Sequence, residues 1–432
     1  MFRKKLKGLF FISSILLIFA SNCTNAPIGT ISPTFSPAPS STPSPPPILS
    51  LTPLPVQTIT EEPTRANGLA LTPPMGWNSF NHFGCAINEA LVRETADAMV
   101  ASGMQAVGYQ YVIIDDCWMA PTRDANGNLQ GDPKKFPNGM KAVADYIHTK
   151  GLKFGLYLDR GTKTCGGYPG SYGYEVQDAN QLASWGVDYV KYDNCAVVGK
   201  LYADYTKMHE ALVATGRPIV FSMCSWGFPG ILVPQLDIAQ LWRTSSDIKD
   251  NWDRMIQIGE ANNIYAAYAE PGHWNDPDML EVGNGGMTDI EYRTHFTMWA
   301  FMAAPLIAGN DLQNMDEATK LILTAPEVIA IDQDPLGIQG TLVSNLSSSN
   351  GLEVWSKMLS GSNTRAMMFL NRTTQAARIV AYWNEIGLPI GSATVRDLWE
   401  QKDLGVYNYG YIANVPAHGV VLLKVSSTGS LP

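Results

Sequence analysis

The sequence is poor in charge and in histidine, and each shortage argues against a class of function. Only 16% of its 432 residues are Asp, Glu, Lys or Arg, and the net charge is −9. No basic stripe appears beyond the first few residues, so a nucleic-acid partner is not expected. The six histidines include no His-x-His pair, the ligand pattern typical of a metal-dependent barrel hydrolase. We therefore expect no metal and no cofactor.

Long apolar runs are also scarce, and the clearest one lies at the N-terminus. Residues 3–7 are basic and residues 9–20 are apolar but too short to span a bilayer comfortably, which predicts a signal peptide over residues 1–23. Ala20-Ser-Asn-Cys23 stands where a bacterial lipoprotein signal is cut, although Leu is more usual at its first position. We expect lipidation of Cys23, with plain secretion as the alternative. The chain is thus predicted to be exported, to the cell surface or periplasm if lipidated, with the lipid as its only membrane contact.

Residues 24–66 lack the composition of a folded segment. They contain 11 Pro, 8 Thr and 6 Ser among 43 positions. Such a segment cannot bury enough apolar area to fold, and its prolines favour extended conformations. It is predicted to be a disordered linker between the N-terminus and the folded protein.

Cysteine is sparse, with six residues in the chain. If Cys23 carries lipid, five cysteines remain: Cys85, Cys117, Cys165, Cys195 and Cys224. An odd number in an exported protein predicts two disulfides and one free thiol. Spacing alone leaves open which cysteine is unpaired.

Short apolar runs alternate with amphipathic helical stretches over residues 67–335, which is typical of βα units. We predict strands at 75–80, 109–115, 153–158, 187–192, 218–224, 240–244, around 265–270 and around 306–309. Eight such units indicate a (β/α)8 TIM barrel. From 336 to 432 the pattern changes to short alternating strands with turn signals, which predicts a C-terminal antiparallel β domain with a structural role. Its strands are predicted at 341–346, 353–357, 365–370, 377–382, 393–397 and 419–425.

Carboxylates follow the predicted strands. Asp193 ends the fourth strand, and Asp247 follows the sixth. A single Asp at such a place is most simply a turn or cap residue. Six carboxylate-bearing ends on one rim are harder to explain in that way, because burying so much charge costs stability unless ligands balance it. Paired carboxylates at the carboxyl ends of barrel strands, in a chain rich in Trp and Tyr, suggest glycoside hydrolysis.

Several long motifs occur in one order along the barrel. They are LTPPMGWNSF at 71–80, IDDCW at 114–118, KTC at 163–165, KYDNC at 191–195, WNDPDML at 274–280 and IDQDPLG at 331–337. Together they resemble the signature segments of the melibiase family of retaining glycoside hydrolases (glycoside hydrolase family 27), which comprises α-galactosidases and α-N-acetylgalactosaminidases. The resemblance implies a barrel followed by an antiparallel β-sandwich. It also implies hydrolysis of terminal α-D-galactose from oligosaccharides, galactomannans or glycoconjugates.

Carried over by position, the resemblance implies a role for each motif residue. Asp193 is the expected nucleophile and Asp247 the expected general acid/base. Lys191 lies two residues before Asp193 on the same strand, so both side chains project from one face. The other expected sugar-binding residues are Trp77, Asp115, Asp116, Tyr157, Cys165, Cys195, Ser225, Trp226, Arg243 and Asp278. For each Trp, packing in the core is the alternative to stacking on a sugar.

The resemblance also implies disulfides Cys85–Cys117 and Cys165–Cys195, with Cys224 as a buried free thiol. It leaves the substrate with two alternatives. Ser225 stands where many α-galactosidases have Glu, and α-N-acetylgalactosaminidases also have Ser there. However, those enzymes have a small Ala three residues later, where this chain has Phe228, so galactose is preferred. A non-catalytic glycan-binding surface protein is a remoter alternative, since both catalytic carboxylates are present. The oligomeric state is not indicated.

Overall fold

A computed structural model describes residues 68–227, 238–347, 350–427 and 429. Its first part contains eight parallel strands in the sheet order β7-β6-β5-β4-β3-β2-β1-β8. Leu280 follows β7 and forms a parallel bridge to Ala308 in β8, which joins the two ends of the sheet. This arrangement confirms the predicted TIM-like fold. The strands are β1 (Met75–Asn78), β2 (Tyr111–Ile114), β3 (Lys153–Asp159), β4 (Tyr189–Asp193), β5 (Val220–Met223), β6 (Leu241–Arg243), β7 (Trp274–Asp276) and β8 (Leu306–Ala308).

Helices follow the strands of this sheet, and four of those described begin at a side-chain cap. The Asn88 side chain accepts the Leu91 N–H, and Thr288 and Glu291 form a reciprocal capping box. Gly186 ends another helix in the left-handed conformation that glycine adopts readily. The helices are Phe80–Phe83, Glu89–Ala101, Gly139–Thr149, Glu175–Trp185, Leu201–Ala214, Trp252–Asn263, Asp289–Phe301, Glu317–Leu323 and Pro326–Asp332.

The position predicted for the seventh strand is wrong. Residues 265–270 contain the 3-10 helix Ala266–Tyr268, and β7 is the three-residue segment Trp274–Asp276. The central residue of β7, Asn275, is polar and fully buried, and its amide donates to the Tyr265 carbonyl and to Gln339. A strand this short with a satisfied polar residue inside has no apolar pattern for the sequence to reveal.

The C-terminal part is an antiparallel β-sandwich, as predicted. Six strands pair in the order β14-β13-β16-β11-β10-β9, and β12 pairs with β15. The predicted strand at 341–346 is shorter than expected, and the strands Lys402–Asn408 and Gly410–Val415 were both missed. The first of these has largely exposed side chains that show no alternation. The strands are β9 (Thr341–Leu342), β10 (Leu352–Met358), β11 (Thr364–Asn371), β12 (Ala377–Tyr382), β13 (Ser392–Asp397), β14 (Lys402–Asn408), β15 (Gly410–Val415) and β16 (Val420–Ser427).

The continuous apolar run in β11 has a simple cause. Ala366, Met368 and Leu370 pack into the barrel's core cluster, whereas Met367 and Phe369 pack into the core of the sandwich. Because successive side chains of a strand point to opposite faces, a strand buried on both faces must be apolar throughout. The six-stranded sheet therefore packs against the barrel, which gives the β domain its structural role.

The N-terminal predictions lie outside the described residues. These are the signal peptide, Cys23 and the linker over residues 24–66, and Phe228 likewise has no described position. Among the residues that are described, none of the helices has both the length and the apolar composition needed to cross a bilayer.

Candidate active site

A cavity of about 650 Å³ opens at the carboxyl ends of the barrel strands, a volume typical of ligand sites. Side chains from the loops after β1 to β7 contribute to its wall. The structure brings together nine of the residues expected to form the site. They are Asp115, Tyr157, Cys165, Lys191, Asp193, Trp226, Arg243, Asp247 and Asp278.

Asp193 lies deep in this cavity and is only 6% exposed. Its Oδ1 accepts the Asn194 N–H at 2.9 Å, and its Oδ2 lies 3.7 Å from the Cys165 Sγ. Burial raises the pKa of Asp193 above its usual value, and the Lys191 ammonium opposes that rise. The cation expected to favour an ionised Asp193 is therefore in place.

Lys191 and Asp115 form an ion pair in the cavity wall. The Lys191 Nζ lies 2.7 Å from the Asp115 Oδ2, which also accepts the Asn78 amide at 2.7 Å. Burial alone would lower the pKa of Lys191, but the surrounding groups, led by the Asp115 carboxylate, together outweigh burial and raise that pKa well above its usual value. The pair thus presents a fixed donor and a fixed acceptor to any hydroxyl that enters the cavity.

A second ion pair lies in the wall of the same cavity. The Arg243 guanidinium contacts the Asp278 carboxylate at 2.8 Å and the Asp247 carboxylate at 3.1 Å. Asp278 is buried and also accepts the Ile248 N–H at 2.8 Å. The Asp247 side chain is 77% exposed, so it can exchange protons with water. The two carboxylates expected to be catalytic therefore share one cavity but differ in their access to solvent.

The predicted disulfides are confirmed. Cys85 is bonded to Cys117 and Cys165 to Cys195, while Cys224 is free and buried. The second bridge joins the loop after β3 to the loop that follows Asp193. Disulfides persist in oxidising compartments, so both bridges fit an exported protein.

Asp159, at the end of β3, connects the Cys165–Cys195 bridge to the barrel. Its carboxylate accepts the Cys195 N–H at 2.8 Å and the Gly161 N–H at 2.7 Å, and the Tyr157 hydroxyl lies 3.4 Å away. Burial raises the pKa of Asp159 to about 7, against the opposing effect of the Cys195 N–H. Asp159 with the two bridged sulfurs is a described group at metal-ligand spacing, but a disulfide offers no thiolate to a metal.

Four expected sugar-binding residues are not among those lining the cavity. Trp77 is fully buried and donates its Nε1–H to the Asn310 carbonyl at 2.8 Å, which fits the core-packing alternative. Asp116 is buried and accepts the Gly166 N–H at 2.6 Å, so it supports the loop that carries Cys165. Ser225 is also buried, and Cys195 is half-buried behind its disulfide partner.

Nine other residues of the cavity wall were not expected. They come from the segments directly after β1, after Asp247 and after Asp278, so their place in or near the motifs and the predicted catalytic residues is the only sequence signal for them. They are Phe80, Asn81, His82, Ile248, Lys249, Asp250, Met279, Glu281 and Asn284.

The cavity lies at the strand ends of a TIM-like barrel, and its wall contains the two expected catalytic carboxylates, two ion pairs able to bind hydroxyls, and aromatic side chains. This combination defines a glycoside hydrolase. The chain belongs to the melibiase family, glycoside hydrolase family 27. Residues 72–334 match the family model described as alpha galactosidase A, and residues 349–425 match the alpha galactosidase C-terminal beta sandwich domain.

Individual relatives agree with this assignment. The chain is 51% identical to an alpha-galactosidase of Cyamopsis tetragonoloba over 355 residues, which cover 82% of this chain and 85% of that protein. It is 42% identical to an alpha-N-acetylgalactosaminidase of Gallus gallus over 360 residues, covering 78% and 88% respectively. The solved structure of alpha-galactosidase I from Mortierella vinacea superposes with a TM-score of 0.81 at 41% identity, covering 84% of this chain and all of that one.

Proposed function

We propose that this protein is a retaining exo-α-galactosidase that removes terminal α-D-galactose from oligosaccharides, galactomannans or glycoconjugates. The observation that carries the mechanism is the contrast between its two cavity carboxylates. Asp193 is buried beside a cation, as suits a nucleophile, whereas Asp247 is open to solvent, as suits a group that must take up and release protons. The two alpha-galactosidases named above support galactose as the sugar.

Hydrolysis proceeds by double displacement. Asp193 Oδ attacks the anomeric carbon while protonated Asp247 gives its proton to the departing glycosidic oxygen, which leaves a covalent galactosyl-enzyme. Asp247, now a carboxylate, then takes a proton from the water that attacks the same carbon. The bond to Asp193 breaks, and galactose leaves with its original anomeric configuration. Arg243, which contacts Asp247, keeps its carboxylate at the cavity wall between the two steps.

The sugar is held by the two ion pairs. Lys191 and Asp115 offer a donor and an acceptor to the galactose hydroxyls, and Arg243 with Asp278 offers a second such pair. Trp226 lines the cavity as the stacking surface for the sugar ring. Asp116, Trp77, Cys195 and Ser225 shape the site from behind the residues that touch the sugar. The second candidate is an α-N-acetylgalactosaminidase. Those enzymes also have Ser at the position of Ser225, where many α-galactosidases have the larger Glu.

The chain is exported, and its N-terminal segments serve that purpose. Residues 1–23 are a signal peptide whose Cys23 carries the lipid, residues 24–66 are the linker, residues 67–335 form the catalytic barrel, and residues 336–432 form the C-terminal domain. Metabolic labelling with a fatty acid would test this anchor. If the wild-type chain takes up the label and Cys23→Ala does not, the anchor is supported. If the wild-type chain takes up no label, the anchor is rejected in favour of plain secretion.

The function is tested by initial rates on nitrophenyl α-galactoside and nitrophenyl α-N-acetylgalactosaminide, side by side. We expect a preference of at least about tenfold for the galactoside, because galactose requires no room for an acetamido group. A preference for the N-acetyl substrate would establish the second candidate instead. Turnover of neither substrate would leave the non-catalytic glycan-binding alternative.

The mechanism is tested by two further measurements. The first sugar released should be the α-anomer by proton NMR, and an initial β-anomer would exclude double displacement. Asp193→Ala should abolish turnover, whereas Asp145→Ala, which removes a surface Asp from an exposed ion pair, should not change it. Substantial activity in Asp193→Ala would show that Asp193 is not the nucleophile.

A further inference from the structure

The loop that carries Asp247 runs from the end of β6 to the helix Trp252–Asn263. The Asp247 side chain is 77% exposed, and its carboxylate accepts a hydrogen bond from the Arg243 guanidinium at 3.1 Å. Packing contacts hold an exposed side chain only weakly. The position of the Asp247 carboxyl group therefore depends on what fixes the backbone of this loop.

Arg254, in the first turn of that helix, binds the loop at two successive carbonyls. Its Nε donates to the Asp247 carbonyl at 3.0 Å, and its Nη2 donates to the Ser246 carbonyl at 2.7 Å. Nη2 also lies 2.7 Å from the Ser246 hydroxyl, and Nη1 donates to the Gln257 side chain at 2.7 Å. A planar guanidinium can hold two neighbouring acceptors at once, which the single ammonium of a lysine cannot do with the same geometry.

The peptide unit that follows Asp247 is held at both of its polar groups. Its carbonyl, which belongs to Asp247, accepts the Arg254 Nε–H, and its N–H, which belongs to Ile248, donates to the Asp278 carboxylate at 2.8 Å. Because a peptide unit is planar and these two groups lie on its opposite edges, the two hydrogen bonds fix the orientation of the whole unit. That orientation restricts the direction in which the Asp247 side chain leaves the backbone.

The helix beneath Arg254 is a fixed base for this contact. Met255 and Ile258 are fully buried, and the Asn251 side chain caps the helix by accepting the Arg254 N–H at 3.0 Å. The charge of Arg254 does not stabilise the helix, because the N-terminus of a helix is the positive end of its dipole and disfavours a cation. The hydrogen bonds to the loop are therefore what an arginine contributes at this position.

We infer that Arg254 is a positioning residue for the general acid/base. By holding the Ser246 and Asp247 carbonyls, it keeps the Asp247 carboxyl group where it can protonate the departing glycosidic oxygen. Arg254 is not among the described residues that line the catalytic cavity, so it acts through Asp247 and not on the substrate. The inference rests on the proposed function, because it requires Asp247 to transfer the proton.

The test compares two galactosides with small leaving groups that differ in their need for a proton. Methyl α-galactoside releases methanol, whose oxygen must be protonated as the bond to the sugar breaks. α-Galactosyl fluoride releases fluoride, which can leave without a proton. Loss of a positioned general acid therefore lowers kcat/KM for the first substrate and spares the second.

Three variants separate positioning from charge and from stability. Arg254→Met removes the donors, whereas Arg254→Lys keeps the charge without the planar fork. Arg217→Met is the matched control, because Arg217 also donates to two successive carbonyls, those of Val187 at 2.7 Å and Gly186 at 2.9 Å. These carbonyls precede β4, at the end of that strand remote from Asp193. All rates are measured well below the unfolding midpoint of every variant.

Arg254→Met should lose at least about tenfold in kcat/KM on methyl α-galactoside, a part of the roughly 10²- to 10⁴-fold that a positioned general acid contributes, and change less than about twofold on the fluoride. Arg254→Lys should show the same contrast between the substrates, with a loss of at least about threefold on the methyl glycoside. Arg217→Met should change neither rate by more than about twofold.

Three results would overturn the positioning role and leave the enzyme an α-galactosidase. They are equal losses on both substrates in Arg254→Met, no loss on methyl α-galactoside in that variant, and full activity on it in Arg254→Lys, which would show that the charge alone suffices. A wild-type enzyme inactive on both galactosides would overturn the proposed function itself.

Discussion

The two disulfides should contribute equally to stability but unequally to activity. Cys85–Cys117 and Cys165–Cys195 close loops with sequence separations of 32 and 30 residues. Loop-closure entropy then assigns each bridge about 3.7 kcal/mol at 25 °C, with a difference below about 0.1 kcal/mol. Replacing either pair by alanines should lower the free energy of unfolding by about that amount. For a folded region of about 360 residues, the midpoint should fall by about 5 °C.

Activity should separate the two variants. Cys165 lines the cavity 3.7 Å from the Asp193 carboxylate, and its partner's N–H is bonded to Asp159, so this bridge orients the nucleophile. A displacement of about 1 Å at a reacting group can cost about a hundredfold in rate. The other bridge has neither of its sulfurs in the cavity wall. We expect about a hundredfold loss of kcat without Cys165–Cys195 and less than about threefold without Cys85–Cys117.

The assay is thermal unfolding by calorimetry together with kcat on α-galactosyl fluoride, measured well below both unfolding midpoints. Equal loss of kcat in the two variants would refute the positioning role of Cys165–Cys195. Midpoints that differ by more than about 5 °C would refute the entropic origin of the stability, because the two loops are nearly equal in length.

Three further predictions concern charge. In Lys191→Met, the acidic limb of the pH profile of kcat/KM on α-galactosyl fluoride should move up by at least about one pH unit. The reason is that the Lys191 ammonium no longer opposes the rise in the pKa of Asp193 caused by burial. An acidic limb at the same pH as in the wild type would contradict this. Arg123→Met should lower the free energy of unfolding, measured in urea, by about 3 kcal/mol. It leaves the buried Asp178 carboxylate without the guanidinium whose nitrogens lie 2.6 and 2.7 Å from its two oxygens. A loss below about 1 kcal/mol would contradict this. Burial lowers the pKa of Lys357 from 10.5 to about 8, so between those pH values the unfolded chain binds more protons and stability should rise with pH. In Lys357→Met that rise should shrink, and an identical pH profile in the variant would contradict the assignment.

Much of the barrel could be predicted because its strands are locally distinctive. β2 is buried at every residue, so its apolar run is continuous and can be recognised in the sequence. β7 could not be located, because three residues with a buried, satisfied Asn275 leave no period to detect. The edge strand Lys402–Asn408 was missed for the opposite reason, since neither of its faces is well buried.

The site divides in the same way. By itself, the sequence determined which carboxylates follow the strands, because parallel strands of one barrel must end on one rim. The resemblance to the melibiase family then singled out Asp193 and Asp247 among them as the expected catalytic pair. The tertiary structure alone decided which side chains reach the cavity. Trp77 is held away by a hydrogen bond to Asn310, 233 residues distant, and Glu281 is held in by Asn81, 200 residues distant. A side chain's direction at a strand end is set by such long-range partners, and no local pattern of residues encodes them.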